Sequence, residues 1–269
     1  MHLLNPHFLL VLLLVILCCG CAQSGKEAGN KAPAETTAGE GRDFPPLLQE
    51  LLSQHGGYDT WQQYKTLAYD LVGTDGAREH QLFNLENRKT LIKKDSFFTI
   101  GYNGKEVWVM PQIEAMPRAR FYYNLHVYFF GLPFFIADPG AQYENLGSTT
   151  FNGKNYERLK VTYESGVGNS PDDQYILYLN ADSKQLDFIN YSVTYTDPSR
   201  AESYNALVYE NWQEVDGLLL PGAYTGYVWE NDTLGRERYH QNFENIRFAK
   251  EAPDPELFAR PEEAAIAEQ

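Results

Sequence analysis

Four histidines are the groups with which the body of this chain could do acid–base or metal chemistry: His55, His80, His126 and His240. His2 and His7 fall in an apolar leader. None of the four belongs to an H-x-H or H-x-x-x-H pair, so no strand or helix face offers two imidazoles to one zinc ion. The three cysteines, Cys18, Cys19 and Cys21, also sit in the leader, which leaves the body without a thiolate ligand, a thiol nucleophile or a disulfide. His126 and Asp138 have the chemistry of a base with its orienting carboxylate. They stand twelve positions apart with Gly131 and Pro133 between them, so no local geometry brings them into contact, and Asp138-Pro139-Gly140 is a turn in its own right. Both are therefore expected as polar rim residues rather than as a catalytic pair. Asn169, Ser170, Asp172 and Asp173 could offer oxygens to calcium, but they lack the spacing and terminal glutamate of an EF-hand loop. A hairpin connection turning at Pro171 accounts for them. G-x-S-x-G is absent, and Gly166-Val167-Gly168 has no helix after it, so neither a nucleophile elbow nor a dinucleotide fingerprint is present. His55 ends a helical pattern, where an imidazolium would meet the C-terminal dipole. No catalytic residue, metal or cofactor is expected, and the chain does not read as an enzyme.

The remaining signal is aromatic. Tyr, Phe and Trp make up 14% of the chain, with 19 tyrosines, and they concentrate in FYYNLHVYFFGLPFFIADPG, from Phe121 to Gly140. Between Leu125 and Ala137 this run holds no acidic or permanently basic side chain. It is too short to cross a bilayer, which needs about 20 apolar residues, and Gly131 and Pro133 break it. Two short pieces are predicted that bury their rings in protein or line a cavity. The expected ligand-cavity residues are Tyr123, Leu125, Tyr128, Phe129, Phe130, Leu132, Phe134 and Phe135, with Trp108 from a neighbouring strand.

The elements that must position these residues follow from the pattern on either side. LLNPHFLLVLLLVILCCGC reads as a secretory leader ending in a bacterial lipoprotein cleavage box, residues 1–21, with Cys21 as the residue to be lipidated. Several acyl chains on one cysteine would make a stable anchor. Residues 22–43 are rich in Ala, Gly, Glu and Thr without a large apolar side chain, a tether with a span of roughly 25 Å. One domain is expected over residues 44–261, with residues 262–269 as a tail. FPPLLQELLSQHGG predicts a helix with Leu47, Leu48, Leu51 and Leu52 as its apolar stripe, and YDTWQQY a second one capped by Asp59. From Lys65 onward, about a dozen short alternating runs separated by turns such as Asn152-Gly153 and Asp216-Gly217 read as antiparallel strands. In QYILYLN both alternating sets are apolar, whereas INYSVTYT has one apolar and one polar set. A curved sheet wrapped around something apolar, with its central strands covered on both faces and flanking strands such as INYSVTYT wet on one, fits this pattern.

HGGYDTW, YNGKEVWV, FYYNLHVYFFGLPFFIADPG, SPDDQYILYLN, WQEVDGLLLP and FENIRFAKEAPDPELFARP together resemble an uncharacterised lipoprotein family, a domain of unknown function common in Bacteroidota, over most of Leu48 to Pro261. More distantly the chain resembles the lipoprotein-carrier superfamily of LolA, LolB and LppX. That resemblance implies a mainly β (α+β) fold: a strongly curved antiparallel half-barrel of about 11–12 strands, with short helices at the N-terminus and in the middle closing the concave face. It also implies an apolar cavity for acyl chains and brings no catalytic residue. The formal net charge of -14 argues against a nucleic-acid partner. The expected partners are the membrane, through the N-terminal lipid, and a lipid or acyl chain in the cavity. The location follows as the cell envelope, at the outer membrane. The alternative is an envelope interaction module whose half-barrel is filled by its own side chains and which meets a protein partner, with a hydrolase third.

Overall fold

The computed structural model describes residues 43–166 and 170–268. The leader, Cys21 and nearly all of the tether lie outside them, as does Asn169. Two short helices open the described chain, α1 (Pro46–Gln54) and α2 (Tyr58–Gln62). Five strands follow: β1 (Thr66–Gly73), β2 (Arg78–Asn84), β3 (Thr90–Lys94), β4 (Phe98–Tyr102) and β5 (Val107–Met110). A helical segment comes next, α3 (Ala119–Tyr122), α4 (Leu125–Phe130) and α5 (Leu132–Phe135). The chain then returns to strand with β6 (Ala141–Phe151), β7 (Lys154–Tyr163), β8 (Tyr175–Asn180), β9 (Leu186–Ser192) and β10 (Tyr204–Glu210). It ends with β11 (Gln213–Val215), β12 (Leu218–Leu220), β13 (Ala223–Glu230), β14 (Thr233–Ala249) and β15 (Ala265–Ile266).

Thirteen strands form one curved, unclosed antiparallel sheet in the order β15-β5-β4-β3-β2-β1-β14-β13-β10-β9-β8-β7-β6, while β11 and β12 pair separately. The thirteenth strand of the sheet is β15, beyond the expected 11–12, and two local breaks set β11 and β12 apart from it. Asn211, in the left-handed region at φ 54°, breaks one alternating run into β10 and β11, and Pro221-Gly222 breaks the next into β12 and β13. Within the stretch expected as a tail, residues 262–269, a short strand lies along the sheet edge: Ala265 pairs with Val109 and Ile266 with Trp108, and Ala264 and Ala267 are buried. Small alanines carry little hydrophobic signal, which is why this strand is silent in the sequence.

The two faces of the sheet are visible in β8. Tyr175, Leu177 and Leu179 enter the main core on the concave side, while Tyr178 and Ile176 join Tyr156, Phe188 and Trp229 on the other. The strand β9 departs from expectation. Its polar set is not wet, because Asn190 and Ser192 are buried, and Thr194 just beyond the strand is buried too. Ser192 Oγ accepts the Gln174 N–H at 2.8 Å, and Asp173 Oδ1 accepts both the N–H (2.6 Å) and the hydroxyl (2.7 Å) of Thr194. Those two bonds engage the Asp173 carboxylate, one of the oxygens that the loop could offer to calcium. Among the described residues, the buried members of every core cluster lie within the unit from Lys31 to Gln269.

The helix α2 starts at Gly57 rather than on an Asp59 cap; Asp59 sits in the first turn. Gly56 ends α1 at φ +101°, and a Cβ there would lie 2.1 Å from the Gly217 carbonyl oxygen in the β11–β12 turn. Gly56→Ala is therefore expected to cost roughly 2 kcal/mol or more, seen as a lower urea midpoint at unchanged slope. An unchanged midpoint would mean that α1 and this hairpin are free to separate.

Candidate functional site

Topology decides where the aromatic run must lie. The strand β5 is second from one edge of the sheet and β6 is the opposite edge, with ten strands between them. Neighbouring strands are about 4.8 Å apart, so the connection has to cross roughly 50 Å of sheet, less along the chord of a curved one. Residues 111–140 make that crossing over the concave face. Gly131 closes α4 and Pro133 stands in the first turn of α5, so the segment is three short helices rather than one.

Its rings fill the concavity. Phe130, Leu132, Phe134 and Ile136 are fully buried, with Phe129 and Phe135 at 4% exposure. Phe134 stacks on Trp61 of α2 at 4.6 Å; Phe130 lies 4.9 Å from Tyr69 and 4.7 Å from Phe243; Phe129 meets Tyr191 at 4.9 Å. Tyr128 bonds to the Tyr163 hydroxyl and packs against Tyr175. Leu125 is half-buried against the same cluster. Tyr123 belongs to a second cluster with Ile92, Ile100, Tyr102, Val107 and Val109. Eight of the nine expected cavity residues are thus assembled on the concave face. Trp108 is not. Val107 and Val109 point inward, so Trp108 points to the convex side, over Gly101, where its Nε1–H donates to the Phe258 carbonyl at 3.2 Å. All three residues of VWV are apolar, so the sequence alone did not say which way the strand faced.

A polar strip runs beneath the segment. Glu79 and Gln81 share the inward face of β2 with Phe83, and both are buried. Glu79 Oε2 accepts the Tyr122 hydroxyl at 2.7 Å and the Gln81 amide at 3.2 Å, while Lys94 Nζ stands 3.5 Å from Oε1. Gln81 Oε1 accepts the Tyr69 hydroxyl at 2.9 Å. Burial raises the Tyr122 and Tyr69 phenols well above the usual tyrosine range, with the Glu79 charge adding to the effect. None of these polar residues was foreseen, although the alternation of EHQLF puts Glu79 and Gln81 on the face of Phe83.

His126 and Asp138 are kept apart. His126 is not a rim residue but is buried, its Nδ1 bonded to the Tyr224 hydroxyl and its ring edge-on to Tyr122. Burial lowers its pKa to about 3, so the imidazole is neutral. Asp138 pairs with Arg88, whose guanidinium also covers the Phe135 ring at 4.2 Å. His55 is likewise neutral rather than an imidazolium at a helix end: burial takes it to about 4. Its Nδ1–H donates to the Leu219 carbonyl at 2.9 Å and its Nε2 accepts the Leu186 N–H at 3.2 Å, tying α1 to β12 and β9. Among the described residues no three His, Cys, Asp or Glu side chains group to hold a metal. Two surface clefts, of about 450 and 490 Å³, are lined by residues including Tyr163, Asp173 and Pro198 in one and Gln49, Ser53 and Lys184 in the other; neither reaches the aromatic segment.

A family model described as a family of unknown function (DUF6503) matches residues 89–206, the stretch that contains the segment and β6 to β9. Comparison with curated proteins gave no match. Among solved structures, the chain is similar to a LolA superfamily protein from Nitrosomonas europaea, with 13% identity and a TM-score of 0.46, covering 79% of this chain and 97% of that one. A DUF1329 family protein from Desulfovibrio piger gives 11% identity and a TM-score of 0.48 over 75% and 91%. The Mycobacterium tuberculosis lipoprotein LppX gives 12% and 0.25 over 56% and 90%.

Proposed function

We propose that this chain is a non-enzymatic cell-envelope protein, held at the outer membrane through a lipid on Cys21, that binds an apolar ligand in the trough beneath residues 119–137. The observation that carries this reading is the nature of the cover. A curved sheet of 13 strands has its apolar concave face closed by helices of four to six residues. Helices this short have no stability of their own and hold only by packing. A lipid or acyl chain offers the sheet the same apolar surface that Phe129, Phe130, Phe134 and Phe135 offer, so the two compete for one face.

Full burial of those rings favours a second reading, an interaction module that keeps its trough permanently self-filled and meets a protein partner elsewhere. Binding separates them. The protein, gently extracted, is expected to carry lipid in native mass spectrometry, and its residue 31–269 unit to bind the neutral dye Nile red saturably with a change in tryptophan emission. If no lipid co-purifies and the dye does not bind, the trough is filler and the module reading stands.

A further inference from the structure

We infer that the trough takes an amphiphile whose polar end is a neutral hydroxyl, seated on Glu79 where the Tyr122 phenol now sits. This rests on the reading above, that an apolar ligand displaces the helical segment. Whatever replaces the segment inherits its hydrogen bonds, and the demanding one is at Glu79. Tyrosine hydroxyls left behind, such as Tyr209, which now donates to the Phe129 carbonyl at 2.9 Å, can rotate toward another acceptor. A carboxylate only accepts. When Tyr122 leaves, Oε2 keeps the longer Gln81 contact at 3.2 Å, and Lys94 stays 3.5 Å from the other oxygen.

The head groups sort themselves against that geometry. A fatty acid would set a second carboxylate against Glu79. An ester only accepts, so it leaves Oε2 without its short donor in a buried site. An ammonium would donate but would arrive beside Lys94. A hydroxyl donates without charge, as the phenol does, and Ile92 and Ile100, buried on the neighbouring inward positions of β3 and β4, provide apolar wall for the chain attached to it. The class is a long-chain alcohol or a lipid ending in a free hydroxyl, such as a diacylglycerol.

The test titrates the residue 31–269 unit at pH 7.5 with 1-dodecanol, laurate and methyl laurate below their aggregation limits. Displacement of Nile red and the change in tryptophan emission, to which Trp61 stacked on Phe134 contributes, report binding. Dodecanol is expected to bind about tenfold or more tighter than either of the others, the worth of one hydrogen bond to a charged acceptor. Glu79→Gln is expected to raise laurate affinity and narrow the gap, and Tyr122→Phe to strengthen dodecanol binding by removing the internal competitor. Laurate or the ester binding as tightly as dodecanol to the wild type overturns the hydroxyl assignment even if Glu79→Gln does not fold. A folded Glu79→Gln protein with unchanged ratios does the same. If Nile red binds, only the head-group assignment is lost in those cases; if neither the dye nor any of the three ligands binds, the trough reading falls with it.

Discussion

Phe130→Ala is expected to lower the stability of the domain by roughly 3–5 kcal/mol, the cost of emptying a fully buried ring site that cannot collapse. Phe130 is 0% exposed and held between Tyr69 of β1 and Phe243 of β14, the two strands that join the halves of the sheet. Neither strand can move inward without breaking the β1–β14 ladder, so the cavity persists. Chemical denaturation read by the urea midpoint measures the loss, and a change below about 1 kcal/mol would place Phe130 outside the core. The same substitution separates the two functional readings. If residues 119–137 compete with a ligand for the concave face, weakening the segment raises the fraction of molecules ready to bind. Apparent affinity rises in proportion to that fraction. Phe130→Ala is therefore expected to bind Nile red more tightly than the wild type while being less stable. A variant that loses stability and gains no affinity would mean that the segment belongs permanently to the core.

Much of the architecture is legible in the sequence because it is local. QYILYLN shows both covered faces of β8 by its two apolar sets, and Gly131 and Pro133 show that the aromatic run is broken into short pieces. What is not legible depends on pairings between distant residues. The concave placement of Phe121 to Gly140 follows from β5 and β6 standing at opposite ends of the sheet. That order in turn requires β1 to pair with β14, with Leu67 opposite Phe248. No local pattern encodes it. The outward turn of Trp108 was hidden because its neighbours are both valines and its partner, the Phe258 carbonyl, arrives 150 residues later. His126 gives the same lesson: a single histidine among aromatics invites a reading at a polar rim, but the group that satisfies it is Tyr224, 98 positions on. The polar set of β9 looked wet because alternation reveals which residues share a face and not what covers that face.

The two buried histidines make acid the condition to which this fold is most sensitive. In the folded chain, burial lowers His55 to about 4 and His126 to about 3, whereas an exposed histidine titrates near 6.5. Protonating His55 at Nε2 would also set a new N–H against the Leu186 N–H that Nε2 now accepts. Above pH 6.5 both states carry neutral imidazoles and the stability is complete. Below it the unfolded chain takes up two protons that the folded chain refuses, so stability falls with pH until the folded values are reached. Each histidine removes about 1.4 kcal/mol per pH unit, or roughly 3 kcal/mol by pH 4. Together these losses rival the 5–15 kcal/mol that holds a typical domain. Two aspartates act near the lower end of the range. Burial raises Asp173 against its Thr194 bonds, and its stabilisation as pH falls toward 3.8 offsets part of the loss. Asp70 is lowered: burial opposes its charge, but bonds from Asn245, His80 and Arg78 outweigh it, so its contribution is lost only below about 3.8. Between pH 6.5 and 4.5 the slope should therefore belong mainly to the two histidines. Urea midpoints across that interval are expected to fall steadily, and His55→Gln or His126→Gln to remove about half of the slope each. A flat profile would show that the two imidazoles reach water in the folded state, which in the case of His126 would mean that α4 lifts from the sheet at mildly acid pH.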